Sequence, residues 1–236
     1  MGLFIVIKSW FITGTDTHVG KTFASCALLQ AAAQQQGHLT AGYKPVASGS
    51  QMTPEGLRNQ DAIFLQTYST QKFTYEQVNP ITFLEATAPH IASRSERKKI
   101  ILSDLSQGLR QLERSADWIC IEGAGGWLTP LSDSITFADW VQKEKLKVIM
   151  VVALKLGCLN HALLTDQAIR QANLPLAGWI ANTLSPAMDR QEEYLSSLEK
   201  RLASPLLGVI PYLPIDLKDT KKNHLADYLN ICLLNE

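Results

Sequence analysis

Apolar residues recur along this chain in two rhythms. Short, nearly unbroken apolar runs alternate with longer stretches where Leu and Ala return every third or fourth position. Unbroken runs mark strands buried on both faces, and the longer period marks helices. Residues 3–12 form a β-favouring run with Lys8 and Ser9 in its middle, and its C-terminal half is expected to be the first strand. Residues 21–36, rich in Ala, Leu and Gln, predict a helix that Gly37 stops. Residues 39–43 predict a short strand, and Pro45 holds Lys44 extended at its end. Residues 47–54 read as a loop, 58–67 as a helix, and 75–101 as an irregular excursion punctuated by Pro80 and Pro89. Residues 103–114 predict a helix capped by Ser103, with Leu105, Leu109 and Leu112 on one face.

The second half repeats the alternation. Strands are expected over 118–121, 147–154, 176–181 and 206–210, and helices over 137–145, 160–172, 189–203 and 224–234. This order predicts one α/β domain spanning residues 1–236, built on a mainly parallel sheet flanked by helices. Ligands of such sheets lie beyond the carboxyl ends of the strands. Those ends carry the 14–22 loop, Lys44, Glu122, Lys155 and Asn182.

Composition narrows the partners. The chain has 236 residues with 22 basic and 22 acidic side chains, so no charge excess points to nucleic acid. Arg94, Arg97, Lys98 and Lys99 cluster around Glu96 and read as a solvated surface. No apolar run reaches the length of a membrane span, and the first residues lack the pattern of a leader. Cys26, Cys120, Cys158 and Cys232 are far apart, as expected of reduced thiols in a cytoplasmic protein.

The chemistry begins at Gly14-Thr15-Asp16-Thr17-His18-Val19-Gly20-Lys21-Thr22. A strand, a glycine-flanked loop and a helix start form a phosphate-binding loop: bare N–H groups face an anion, Lys21 meets the outer phosphates, and Thr22 offers a hydroxyl to Mg²⁺. Five residues separate Gly14 from Gly20-Lys21, one more than the common pattern. Glu122, ahead of three glycines in four residues, and Asp61 are the candidate carboxylates for the metal. Asp61 reads equally as a helix N-terminal charge. Lys21 and Lys44 are placed to stabilise a transferring phosphate, with Ser48 four residues beyond Lys44. Gly157-Cys158-Leu159-Asn160 opens a helix and reads either as an ordinary helix start or as a second anion site suited to a carboxylate. The strand end at Asn182-Thr183-Leu184-Ser185 lacks a guanine-reading motif.

These stretches, with Lys44-Pro45-Val46-Ala47-Ser48-Gly49-Ser50, Thr53-Pro54-Glu55-Gly56-Leu57-Arg58-Asn59, Glu122-Gly123-Ala124-Gly125-Gly126-Trp127 and Ala177-Gly178-Trp179-Ile180-Ala181-Asn182, resemble the dethiobiotin synthetase family from about Trp10 to Leu213. The resemblance implies an ATP- and Mg²⁺-dependent ligase of biotin biosynthesis, in which 7,8-diaminononanoate and CO₂ (or bicarbonate) give a cyclic urea through a carbamate and a carbamic–phosphoric anhydride. By resemblance, Thr17, His18, Val19, Gly20, Lys21 and Thr22 wrap the phosphates, with Gly123, Ala124 and Gly125 nearby. Thr22, Asp61 and Glu122 hold the metal, and Lys44 acts with Lys21 as the catalytic cation. Ser48 and Gly125 meet the substrate's amine end, and Asn182, Pro211, Tyr212 and Leu213 the adenine. The family's homodimer implies that Cys158, Leu159, Asn160 and Tyr194 of one subunit bind the substrate carboxylate at the other's site. His18 departs from the family, which usually carries an acid there, and the tail after Leu213 is unlike the common ending. The competing readings are a switch ATPase or a small-molecule kinase of the same fold. Switch ATPases typically carry a second lysine early in the loop, and Thr15-Asp16-Thr17 has none.

Overall fold

The computed structural model describes residues 7–186, 189–213, 217 and 224–234. Its centre is a six-stranded sheet in the order β10-β9-β8-β1-β7-β2. These strands are Lys8–Gly14 (β1), Thr40–Tyr43 (β2), Trp118–Glu122 (β7), Lys147–Leu154 (β8), Leu176–Thr183 (β9) and Leu206–Ile210 (β10). Every pairing between them is parallel. β1 therefore lies between β7 and β8, and its carboxyl end opens at the middle of the sheet.

Alternation along β1 explains the two layers. Trp10 and Ile12 face one core with the helices Lys21–Gln36 (α1) and Gln60–Tyr68 (α2), while Phe11 faces the other. On that second face pack Leu102–Leu112 (α5) and Phe137–Glu144 (α6). Cys158–Gln171 (α7) and Gln191–Glu199 (α8) cover β8 and β9. Trp118, Trp140 and Trp179 are wholly enclosed, and a large apolar side chain removed from water contributes about 1.5–3 kcal/mol.

Several expected elements differ. The excursion at 75–101 is ordered: it holds the short helices Tyr75–Val78 (α3) and Pro89–Ser95 (α4), and the strand Ile81–Thr82 (β6), which pairs with Val46–Ala47 (β3). The 47–54 loop contains one arm of a hairpin, Gln51–Thr53 (β4) against Gly56–Arg58 (β5). Ser103 caps nothing, since α5 starts at Leu102 with Ile101 as its cap residue. The expected terminal helix is two 3-10 turns, Leu225–Tyr228 and Ile231–Leu234. Leu225, Ala226, Ile231 and Leu234 of these turns, with Leu229 between them, are buried against α1 and β10, so long-range contact rather than local helical bonding shapes this tail. Gln35 Nε2 of α1 donates to the carbonyls of Ala226 and Leu229, at 3.0 and 2.9 Å. The expected strand start at residues 3–6 lies outside the described residues.

Candidate functional site

The 14–22 loop joins β1 to α1 at the sheet's centre. Gly20 is the α1 cap residue with φ 88°, a left-handed conformation that glycine adopts readily. Neither a capping side chain nor a first-turn acid blocks the helix start, so its N–H groups remain available to an anion. The loop is held by β8, by β9 and from within. Thr15 N donates to Val151 O of β8 at 3.1 Å, Thr17 N to Asp16 Oδ1 at 2.7 Å, and Asn182 Nδ2 of β9 to Val19 O at 2.9 Å. The Asp16 carboxylate also pairs with Lys155 at 3.5 Å. The amide of Thr17 and the charge of Lys155 hold it below the usual carboxylate range.

Lys21 Nζ donates to Asp16 O at 3.1 Å. Burial pushes this ammonium down to about 8, and the nearby Lys44 pushes the same way. Glu122, Asp61 and Asp16 act the other way, and phosphate oxygens would add to their negative charge.

Lys44 is buried, not presented to solvent as a strand-end lysine would be. Its Nζ donates to Glu122 Oε1 at 2.6 Å, Asp61 Oδ2 at 3.0 Å and Gly123 O at 3.2 Å. Burial works against its charge, but Asp61 and Glu122 outweigh burial and raise its pKa above the usual lysine value. The Lys44 charge in turn lowers the Asp61 pKa. Lys44 comes from the end of β2, Glu122 from the end of β7, and Asp61 from the first turn of α2, whose cap residue Asn59 accepts from Asp61 N and Ala62 N. Asn79 Nδ2 fixes the Lys44 backbone by donating to its carbonyl at 2.6 Å. Thr22 Oγ1 donates to Glu122 Oε1 at 3.0 Å, joining α1 to the cluster.

A cavity of about 730 Å³ opens over these groups. Of the expected residues, Thr17, His18, Gly20, Lys21, Thr22, Lys44, Ser48, Asp61, Glu122, Ala124 and Gly125 line it. Ser48 Oγ is buried with no partner among the described residues. His18 holds φ 58° at the cavity wall. The far wall is Ala86, Thr87, Ala88, Pro89, Thr129 and Pro130, which residue chemistry did not single out. The available signal was Pro89, which opens α4, within an excursion too long to be mere connection.

Other expected residues are not in that lining. Val19 and Gly123 are buried, and Asn182 is 5% exposed with one amide hydrogen committed to the loop. Pro211, Tyr212 and Leu213 follow β10, with Tyr212 exposed. Cys158, Leu159 and Asn160 open α7, and Tyr194 lies on α8. Cys158 is buried, and Leu159 and Tyr194 pack beside it in the same apolar cluster.

Among the described residues no three His, Cys, Asp or Glu side chains gather as a self-sufficient metal site. Mg²⁺ commonly needs only one or two carboxylates when phosphate oxygens complete its shell. Glu122 Oε2 is buried and without a partner among the described residues. An orphaned carboxylate oxygen beside the Thr22 hydroxyl and the Asp61 carboxylate fits a hard divalent cation.

A parallel α/β sheet with a phosphate loop at its central strand end defines a P-loop nucleotide-binding protein. Solved relatives agree on the fold: a ParA family ATPase from Chlorobium tepidum superposes with TM-score 0.57 at 14% identity, covering 97% of this chain and 100% of that one. The septum site-determining protein MinD of Pyrococcus horikoshii gives 0.58 at 15%, covering 94% and 93%. Residues 8–218 match the family model of an AAA domain. The ATP-dependent dethiobiotin synthetase BioD of Yersinia pestis bv. Antiqua (strain Angola) is 65% identical over 230 residues, covering 96% of this chain and 95% of the relative. BioD 1 of Escherichia coli K12 is 55% identical over 227 residues, covering 96% and 99%. The chain belongs to the ATP-dependent dethiobiotin synthetase family.

Proposed function

We propose that this chain closes the ureido ring of dethiobiotin from 7,8-diaminononanoate, CO₂ and ATP, as a single α/β domain in the cytoplasm. The observation that carries the reading is the convergence of Lys44, Asp61, Glu122 and Thr22 in one cavity beside the phosphate loop. Buried unpaired thiols at Cys26, Cys120 and Cys158 suit a reducing compartment.

In this reading the loop amides from Thr17 to Thr22, with Lys21, bind the triphosphate. Thr22, Asp61 and Glu122 would hold Mg²⁺, which would supply positive charge against the phosphates. One substrate amine adds CO₂ and becomes a carbamate. Lys44 and Lys21 hold the carbamate oxygen in line with the γ-phosphate and offset the charge that spreads over the transferring group. Phosphoryl transfer yields the carbamic–phosphoric anhydride. The second amine attacks its carbonyl, the ring closes, and phosphate leaves. Ser48, with its unpartnered hydroxyl, and Gly125 receive the amine end. Asn182 and the 211–213 segment read the adenine, with Asn182 keeping its oxygen and second amide hydrogen for the base.

The substrate carboxylate is held by Cys158, Leu159 and Asn160, with Tyr194, of a second copy in a homodimer. Two facts support this: the α7 start is not in its own chain's cavity lining, and Leu156 and Leu164 beside it are 87% and 57% exposed, as apolar residues at a subunit contact would be in a lone chain. The deciding experiment incubates the protein with the diamine, bicarbonate and MgATP and looks for the cyclic urea by mass. ATP hydrolysis that ignores the diamine would point instead to a switch ATPase.

A further inference from the structure

An ammonium group has three hydrogens. Those of Lys44 face Glu122 Oε1 at 2.6 Å, Asp61 Oδ2 at 3.0 Å and Gly123 O at 3.2 Å. Lys44 therefore has no donor left for a phosphate or a carbamate. The groups that hold it include both carboxylates assigned above to the metal, and Glu122 Oε1 already accepts from Thr22 Oγ1 at 3.0 Å. Glu122 is fully buried and Lys44 nearly so. Asp61 is part-exposed to the cavity, but two cations sharing a pair whose Glu122 is fully buried repel each other strongly. The same carboxylates cannot neutralise both at full strength.

We propose that Lys44 is the resident counter-cation of the Asp61–Glu122 pair, and that a divalent cation competes with it for those carboxylates. Lys44 becomes free to donate into the cavity only when the pair is neutralised in another way. The chain then presents its catalytic ammonium only once a metal–nucleotide complex has arrived. The inference rests on the reading that Thr22, Asp61 and Glu122 hold the metal. It adds that one oxygen of each carboxylate, Glu122 Oε1 and Asp61 Oδ2, is held by a lysine of the same chain beforehand, while Glu122 Oε2 stays unpartnered.

The test is Mn²⁺ binding to the full-length protein without nucleotide, followed by paramagnetic resonance of the free ion. Lys44→Met and Lys44→Gln should each bind Mn²⁺ about tenfold tighter than the unmodified chain or better, because their carboxylates have lost the competitor. Adding Glu122→Gln to Lys44→Met should erase the gain. Equal affinity in the unmodified and Lys44 chains overturns the competition but leaves the metal site standing. If Mn²⁺ binds none of these chains even with ADP present, the metal reading itself falls. A Lys44 variant that is unfolded alone and folds on adding millimolar Mn²⁺, but not K⁺, gives the expected result by another route. Failure of Mn²⁺ to restore such a fold overturns the proposal.

Discussion

Asn182 and Gly20 interlock at the mouth of β9. Asn182 Nδ2 donates to the carbonyl of Val19 at 2.9 Å, and a Cβ placed on Gly20 would lie 1.9 Å from that same nitrogen. The amide thus ties the phosphate loop to a strand two places away in the sheet, and it requires a bare backbone at residue 20.

Gly20→Ala should therefore remove most nucleotide binding. The left-handed backbone alone costs a β-carbon about 1–2 kcal/mol, and the Asn182 contact must also break. Calorimetry with ADP should show an affinity loss of about 100-fold or more. Adding Asn182→Ala should recover part of it, by relieving contact but not backbone strain. Asn182→Ala alone should weaken binding by about tenfold, as expected for one lost buried hydrogen bond.

Lys44→Ala should depress kcat by about a thousandfold or more while ADP affinity changes only a few-fold, because its charge is needed most in the transition state. The same change leaves Glu122 buried without its cation. Urea unfolding should show a loss of about 3–5 kcal/mol. The pair replacement Lys44→Met with Glu122→Gln should lose clearly less. Near-normal turnover in Lys44→Ala would remove its assigned role.

Nucleotide affinity should fall as pH rises through about 8. Burial lowers Lys21 to about 8 in the nucleotide-free loop, and phosphate binding favours the charged form, so binding below that pH needs no proton uptake and binding above it does. Affinity should drop by about tenfold per pH unit above that point. Lys21→Arg, which stays charged, should make the profile flat between pH 7 and 9.5. Calorimetry with ADP across that range measures both.

The tail should behave as a strap. A Cβ on Gly208 would meet the carbonyl of Tyr228 at 1.9 Å, and Asn230 N donates to Leu207 O at 2.8 Å. Gly208→Ala should push the strap off β10 and destabilise the fold by about 1–3 kcal/mol. Faster amide exchange at Asn230 in that variant would locate the effect.

Mixed dimers would test the proposed cross-subunit site. Lys44→Ala subunits and Asn160→Ala subunits are each inactive in this scheme, but a mixed pair contains one site with both residues intact. Random mixing makes half the dimers mixed, so about a quarter of normal activity should return. No recovery would place Asn160 at its own chain's site or at none.

How much of this was legible beforehand depends on distance along the chain. The phosphate loop is nine consecutive residues, and its strand, turn and helix start are written locally. The helix 21–36 appears with those bounds because its composition and its stop residue agree. The excursion 75–101 was not legible, since its short elements draw on pairing with β3 and on contacts such as Asn59 N with Tyr75 Oη at 2.7 Å and Asn79 Nδ2 with Lys44 O at 2.6 Å. The 86–89 wall shares that origin: small, chemically quiet residues matter there only through where they stand.

From sequence alone came the alternating α/β order, the phosphate loop, the polar strand ends and the family, because periodicity and motif spacing are properties of neighbouring residues. Tertiary structure alone decided that Lys44 is buried and that its three hydrogens are already taken. That outcome depends on β2, β7 and α2 bringing the carboxylates of Asp61 and Glu122 each within 3.0 Å of the Lys44 ammonium. Charge, burial and partner count are properties of a place, and the place exists only once the sheet has formed.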